Sequence, residues 1–110
     1  MKPSNSLKSI KALVSANLCH FNDNALEDAH NDFMWGPEKM KQCLLRLNDK
    51  LHASNPEKNH FYKTEPYRNF PNTKMDYYKI KNGLEGNRIY IHLYVNAQSG
   101  ELIISSFKEL

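Results

Sequence analysis

Residues 88–95, RIYIHLYV, alternate between apolar and polar positions without a break. Side chains along a β-strand point to opposite faces with a period of two, so the octet predicts a half-buried strand. Its inward set is aliphatic: Ile89, Ile91, Leu93 and Val95. Its outward set is basic and aromatic: Arg88, Tyr90, His92 and Tyr94.

The first half of the chain has helical periodicity instead. Ser4, Asn5 or Ser6 can cap a first helix. The inner stripe of that helix is Leu7, Ile10, Leu13, Val14 and Leu18. A short second helix is predicted from Asp23 to Ala29, capped by Asn22 or Asp23. A third is predicted from Gly36-Pro37 to Asn55-Pro56, because proline is tolerated in a first helical turn. The inner stripe of this third helix is Met40, Cys43, Leu44, Leu47 and Leu51.

The pattern becomes strand-like after residue 59. His60–Thr64 is predicted as a short strand or extended segment, and Pro66 and Pro71 bracket a predicted irregular loop. Further strands are predicted at Met75–Lys81 and Leu102–Lys108, on either side of RIYIHLYV.

Helices followed by strands indicate a single α+β domain over residues 1–110. Short turns at 82–87 and 96–100 favour an antiparallel meander. We expect the N-terminal helices to pack on one face of this small, mainly antiparallel C-terminal sheet. The other face then stays open to a ligand.

Composition adds one hint about that ligand. The net charge is +3 over 110 residues, and residues 60–110 hold seven Lys or Arg against five Asp or Glu. All six tyrosines lie in the same half. Cations meet phosphates and rings stack on bases, so this mixture suits a single-stranded nucleic acid.

Other function classes are not favoured by the sequence. No apolar run approaches the roughly 20 residues of a membrane helix, and MKPSNSLKSI has no apolar stretch like that of a signal peptide, so a cytoplasmic protein is predicted. Cys19 and Cys43 lie in helical-looking segments without CxxC spacing. They are predicted to be small buried apolar groups, with no disulfide and no metal site.

Several blocks of the sequence together resemble the MqsR family of bacterial type II toxins. They are LIISSFKEL at the end, HFYK at 60–63, Asp76-Tyr77-Tyr78, Gly86 followed by IYIHL, and SIKALVSA near the start. The blocks occur in the family's order and cover most of the chain. The segment from Gly36 to Asn59 is longer here than in the family's usual form.

The resemblance implies an mRNA interferase of the RelE-like ribonuclease fold, which arrests growth by cutting single-stranded mRNA at GC-containing sites without a metal or other cofactor. It also implies a cognate antitoxin, zinc-binding and with a helix-turn-helix, through which alone DNA would be bound. By matching motif, the family's functional lysines fall on Lys63 and Lys108, and its strand tyrosine falls on Tyr90. Two positions depart from the family: Met75 replaces a glutamine, and His92 stands where members often have lysine.

The chemistry of RNA cleavage can also be matched to residue types. Attack by the 2′-OH needs a proton acceptor, stabilisation of the phosphorane and a proton for the leaving 5′-oxygen. Histidine suits proton transfer, so His92 is predicted as base or acid. Lys63, Arg88 and Lys108 suit the phosphate, and Tyr90 suits hydrogen-bond donation. The rings predicted to contact RNA are Tyr62, Tyr78 and Tyr94.

Two other functions remain open from the residues alone. The same face could bind RNA without cleaving it, or it could dock a protein partner, since tyrosine and arginine are enriched at interfaces too. The alternation of side chains along the last strand also leaves open which face Lys108 occupies. In a regular strand it would share a face with Leu102 and Ile104, so it joins Tyr90 only if the strand bends or its far face is partly covered.

Overall fold

The computed structural model describes residues 2–48 and 59–110. Its helices are α1 (Leu7–Ser15), α2 (Asp23–Phe33) and α3 (Pro37–Leu44), and its strands are β1 (Cys19–Phe21), β2 (Phe61–Tyr67), β3 (Phe70–Ile80), β4 (Ile89–Val95) and β5 (Leu102–Glu109). The strands form one sheet in the order β1-β5-β4-β3-β2. Its pairs are antiparallel except β1 with β5. The predicted α+β arrangement is confirmed. No helix in the described ranges has the length and apolar character needed to span a bilayer.

Helix α1 begins as predicted and ends earlier than its apolar stripe suggested. The Ser6 hydroxyl accepts a hydrogen bond from the Ser9 N–H at 3.2 Å, which satisfies one free donor of the first turn. Asn17 adopts a left-handed conformation with φ of 60°, so the chain leaves the helix there. Leu18 is therefore 50% exposed, and its prediction as a core residue is wrong.

Helices α2 and α3 differ from their predicted lengths. Helix α2 runs one turn beyond Ala29 and ends where Met34 takes a left-handed conformation. Helix α3 starts at Gly36-Pro37 as predicted but ends at Leu44, although Leu47 is still buried. Leu51 and the predicted helix end at Asn55-Pro56 lie outside the described residues.

Strand β1 was not predicted from the sequence. It has three residues, and it pairs in parallel with β5, Cys19 opposite Leu102. The prediction that Cys19 lies in a helix is therefore wrong, whereas Cys43 is a buried helical residue as predicted. Both thiols are free. Burial raises the pKa of Cys43 to about 12, which keeps its thiol protonated.

Strands β2 and β3 form a long hairpin where a loop was predicted. A two-residue turn, Arg68–Asn69, connects them, and both Pro66 and Pro71 lie within strands. Pro66 is tolerated because β2 is an edge strand, where a missing N–H need not break the ladder between two neighbours. The predicted irregular loop is therefore wrong.

The hydrophobic core lies between the helices and one sheet face. Alanines at 25 and 29 bring α2 close to β5. An aromatic group seals one end: the Phe107 ring lies 6.2 Å from both Phe33 and Trp35, centroid to centroid. The aliphatic side chains of β4 predicted to face inward do so, with Val95 half-buried at the edge.

One carboxylate is fully buried on the core face. Asp76 accepts hydrogen bonds from the backbone N–H groups of Ser4 at 2.8 Å and Asn5 at 3.1 Å. Burial raises the pKa of Asp76, and these two hydrogen bonds with one from Thr64 act in the opposite direction. The segment before α1 is thereby tied to the sheet.

A β-bulge in β5 determines which face of the sheet Lys108 occupies. His92 pairs with Ser106 and Leu93 with Ile104, so Ser105 is the extra residue. The bulge shifts the alternation by one position, which lets Leu102 and Ile104 face the core while Ser106 and Lys108 share the opposite face with His92 and Tyr90. The Asn24 side chain in α2 donates a hydrogen bond to the Ser105 carbonyl at 2.9 Å.

Candidate functional site

The sheet face opposite the helices, here called the open face, brings four predicted catalytic residues together. Lys63 pairs with Tyr77, Tyr77 with His92, and Tyr90 with Lys108, on four adjacent strands. Because directly paired residues in an antiparallel sheet point to the same side, these five side chains form one group. With Tyr62, Glu65 and Lys79 we call them the open-face cluster.

His92 is the centre of this cluster. Its imidazole meets the Tyr77 ring edge to face at a centroid distance of 4.2 Å and the Tyr90 ring at 4.6 Å. The two tyrosine rings are nearly parallel, with an angle of 10° between their planes. The rings cover Nε2 of His92, which has no hydrogen-bond partner within residues 2–48 and 59–110. The three rings hold one another in place.

Two lysines contact the rings from the β2 side of the cluster. Nζ of Lys63 lies 4.7 Å from the Tyr77 ring centroid and donates a hydrogen bond to Oε1 of Glu65 at 2.8 Å. That hydrogen bond raises the pKa of Lys63. Nζ of Lys79 lies 3.7 Å from the Tyr62 ring centroid and 5.9 Å from that of Tyr90. The cluster therefore holds cations against aromatic faces, an arrangement stabilised by cation–π attraction.

The surroundings of His92 keep it neutral. Burial and, after it, the positive charges of Lys108 and Lys63 together lower its pKa to about 4, and the Glu65 carboxylate acts in the opposite direction. At pH 7 the ring in the free protein is a proton acceptor, so the predicted role of general acid does not fit this state. A bound phosphate would offset the two lysine charges and raise the pKa of His92 again.

The depressed pKa predicts an acid-sensitive fold. Between pH 6.5 and about 4, His92 takes up a proton in the unfolded chain but not in the folded one, so the free energy of unfolding falls as the pH falls through this window. Because water screens a half-buried ring, we expect a loss of about 1–2 kcal/mol relative to His92→Gln. Urea unfolding of both proteins at pH 7, 5.5 and 4 measures it. Parallel pH profiles would contradict the assignment.

Two tyrosines predicted to bind RNA do not lie exposed on the open face. Tyr78 pairs with Ile91, points into the core and is fully buried, so its prediction as an RNA contact is wrong. Tyr94 faces the open side but is only 7% exposed, because Tyr67 stacks on it at 5.0 Å. Tyr94 can offer at most an edge to a ligand.

The other two predicted RNA contacts are exposed. Tyr62 is an extra residue in β2, at an irregularity of its pairing with β3, and is 49% exposed. Arg88 precedes β4 and is exposed, with its backbone carbonyl accepting a hydrogen bond from the Leu110 N–H at 3.1 Å. By strand alternation Arg88 shares the side of Tyr90, at the end of the cluster.

The sequence reading overlooked three members of the cluster. Tyr77 and Tyr78 are adjacent, so one of them must face outward. The next two residues show that it is Tyr77. Polar Lys79 is two positions after Tyr77 and shares its side, whereas apolar Ile80 shares the side of Tyr78. Glu65 lies two positions after Lys63, the spacing of residues on one strand face. The alternation of side chains along a strand was therefore sufficient to find Tyr77, Lys79 and Glu65.

A basic cleft adjoins the cluster at its β2–β3 end. It has a volume of about 570 Å³ and is lined by Arg46, Lys79 and Lys81 together with polar side chains. Lys79 belongs to both the cleft and the cluster. Positive charge is therefore continuous from the open face to the edge of the sheet, as a polyanion would require.

Comparisons with known proteins leave the family undetermined. A scan against models of protein families finds no match to this chain, and a search of curated proteins finds no similar sequence. No group of three or more His, Cys, Asp or Glu side chains suited to a metal ion occurs in the part of the chain that is described.

Proposed function

We propose that this protein is an endoribonuclease toxin of a type II toxin–antitoxin system, acting in the cytoplasm on single-stranded mRNA. The observation that carries the proposal is the open-face cluster: lysines from β2 and β5 flank a packed set of tyrosines and a neutral histidine on the sheet face opposite the described helices. Lys63, Tyr90, His92 and Lys108 are distant in sequence, and they lie on one face of adjacent strands. The resemblance to the MqsR family supports the same function.

The lysines supply electrostatic stabilisation. As the 2′-oxygen attacks phosphorus, negative charge grows on the non-bridging oxygens of the phosphorane. Lys63 and Lys108 can donate hydrogen bonds to those oxygens from opposite sides of the Tyr77–His92–Tyr90 group. Preorganised donors of this kind typically contribute about 3 kcal/mol each to the transition state.

Two groups in the cluster can accept the 2′-OH proton. Glu65 presents a carboxylate beside Lys63, and His92 presents a neutral imidazole whose Nε2 must first be uncovered. The accessible carboxylate is therefore the better base. When the bond from phosphorus to the 5′-oxygen breaks, that oxygen takes a proton from Tyr90 or Lys108, which are paired on β4 and β5. The products are a 2′,3′-cyclic phosphate and a 5′-hydroxyl, and neither step calls for a metal ion.

Incubation of the purified protein with mixed-sequence RNA tests the proposal. We expect cleavage in the presence of a chelator, concentrated at GC-containing sites and leaving 2′,3′-cyclic phosphate ends. Salt-sensitive retention of uncut RNA would instead identify a binding module, and neither result would leave a protein-interaction subunit. In cells, expression should deplete messages and arrest growth, and a co-encoded antitoxin should restore it.

A further inference from the structure

The open face carries a second concave site beyond His92. A cavity of about 310 Å³ lies between the β2–β3 turn and the loop that joins β4 to β5. Its lining includes the side chains of Asn69, Phe70, Asn72, Tyr94, Asn96 and Gln98. Tyr94 follows His92 by two residues on β4, which places the cavity about 7 Å along the strand from the cluster.

The lining differs sharply from the cluster in charge. Among the described residues, no lysine, arginine or carboxylate lines the cavity, and carboxamides and rings dominate it. Carboxamides carry a donor and an acceptor side by side, the pattern that matches the edge of a nucleobase. A phosphate would find no cation among these lining groups, so the cavity suits the uncharged part of a nucleotide.

The cavity has two aromatic rings, of which Tyr94 is held in place by its neighbours and Phe70 is exposed. Tyr94 is held by Tyr67 and by Met75 and Ile103, which form a small separate apolar cluster on the open face. The ring of Phe70 lies 6.4 Å from Tyr94 and is 50% exposed. An exposed phenylalanine beside a rigid ring offers a flat surface on which a base can stack.

The loop that forms the opposite wall is preorganised. Oδ1 of Asn96 accepts hydrogen bonds from the backbone N–H groups of Gln98 at 2.9 Å and Ser99 at 3.1 Å. Asn69 on the facing turn donates to the Tyr67 hydroxyl at 3.2 Å. Both walls of the cavity are therefore shaped before any ligand arrives, which lowers the entropy cost of binding.

We propose that this cavity binds one base of the RNA next to the scissile phosphate and thereby sets the sequence preference of cleavage. The inference rests on the proposed ribonuclease function and adds the subsite that reads sequence. Phe70 supplies the stacking surface, while Asn72 and Gln98 contact the edge of the base. The cluster alone would then cut RNA with little regard to sequence.

Phe70→Ser and Asn72→Ala test the proposal, with Leu18→Ser as the matched control. Leu18 is as exposed as Phe70, but it lies between α1 and β1. β1 is at the opposite edge of the sheet from β2. We expect Phe70→Ser to lower kcat/KM at the preferred site by roughly 10- to 100-fold, the range found when a stacked base loses its ring. Cleavage of the same RNA with an abasic ribose in place of the bound nucleotide should change less than 2-fold, and Leu18→Ser should match the wild type on both substrates.

The outcomes separate the two proposals. Wild-type cleavage with an unchanged rate and site preference in Phe70→Ser and Asn72→Ala would overturn the base subsite and leave the ribonuclease intact. Binding without cleavage by the wild type would overturn the ribonuclease, and fluorescence anisotropy with the same RNAs would then decide the subsite: Phe70→Ser must weaken binding. RNA neither bound nor cut by the wild type would overturn both.

Discussion

Replacing Lys63 with glutamine should lower the rate of RNA cleavage about 100- to 1000-fold and abolish growth arrest while the fold stays intact. The Lys63 ammonium contacts both the Tyr77 ring and the Glu65 carboxylate. Its loss removes charge stabilisation from the phosphorane and leaves Glu65 facing the RNA phosphate without a counterion. Lys108→Gln should act in the same direction, and the double variant should lose less than the product of the two effects because both lysines bind one group.

Stability should be nearly unchanged in these variants, since an exposed ion pair contributes little. Circular dichroism and urea unfolding check this point, and Lys8→Gln on α1 controls for the loss of one positive charge. Tyr90→Phe should lose activity as well if its hydroxyl donates a proton. Wild-type cleavage by both Lys63→Gln and Lys108→Gln would show that the open-face cluster is not the catalytic site.

Inserting an alanine between Ser106 and Phe107 should unfold the protein or abolish its activity. The bulge leaves Ser106 on the open face and Phe107 in the core, so one more residue at this point turns Phe107 to the open face and Lys108 into the core, unless Leu102 and Ile104 leave the core instead. Loss of a buried phenylalanine alone costs about 3–5 kcal/mol, a large part of the 5–15 kcal/mol that stabilises a typical domain. Urea unfolding and amide NMR spectra measure the loss.

Deletion of Ser105 removes the extra residue itself and should therefore keep Phe107 in the core and Lys108 on the open face. Ser105→Ala is a further control for the insertion. It keeps the extra residue, and Asn24 bonds to the backbone carbonyl at this position, so alanine preserves the contact. Asn24→Ala should cost about 1 kcal/mol by removing that hydrogen bond. An insertion variant that folds and cleaves like the wild type would refute the role given to the bulge.

The bulge also shows what the alternating sequence pattern could predict and what it could not. Strict alternation predicted the inward side of β4 correctly, because β4 itself is regular. It could not place Lys108, since the pattern SSFK contains no sign of which serine is the extra one. Register is fixed by packing against the neighbouring strand, which a period of two along one strand does not contain.

The missed and misplaced elements have different physical causes. β1 has three residues, too few for any periodicity, and it forms because β5, a distant part of the chain, offers a parallel edge. The hairpin of β2 and β3 is local, but it was hidden by Pro66 and Pro71, which are typical of loops although an edge strand accepts proline.

The candidate site was predictable in outline and not in detail. The resemblance supplied Lys63, Tyr90 and Lys108, and the sheet brings them together with His92. Burial of Tyr78 and stacking of Tyr67 on Tyr94 depend on ring volumes across neighbouring strands, which the sequence does not order in space. The proton-transfer roles were equally hidden, because the pKa of His92 depends on its burial and then on lysines from two other strands.

The parallel pairing of β1 with β5 has a consequence for the order of assembly during translation. β1 is made early, yet its only ladder partner in the described sheet, β5, emerges from the ribosome much later. Pairing of such distant segments is intrinsically slow. Because Lys108 lies on that same late strand, a chain whose β5 has not yet paired with β4 lacks one of the two lysines whose charges act on His92.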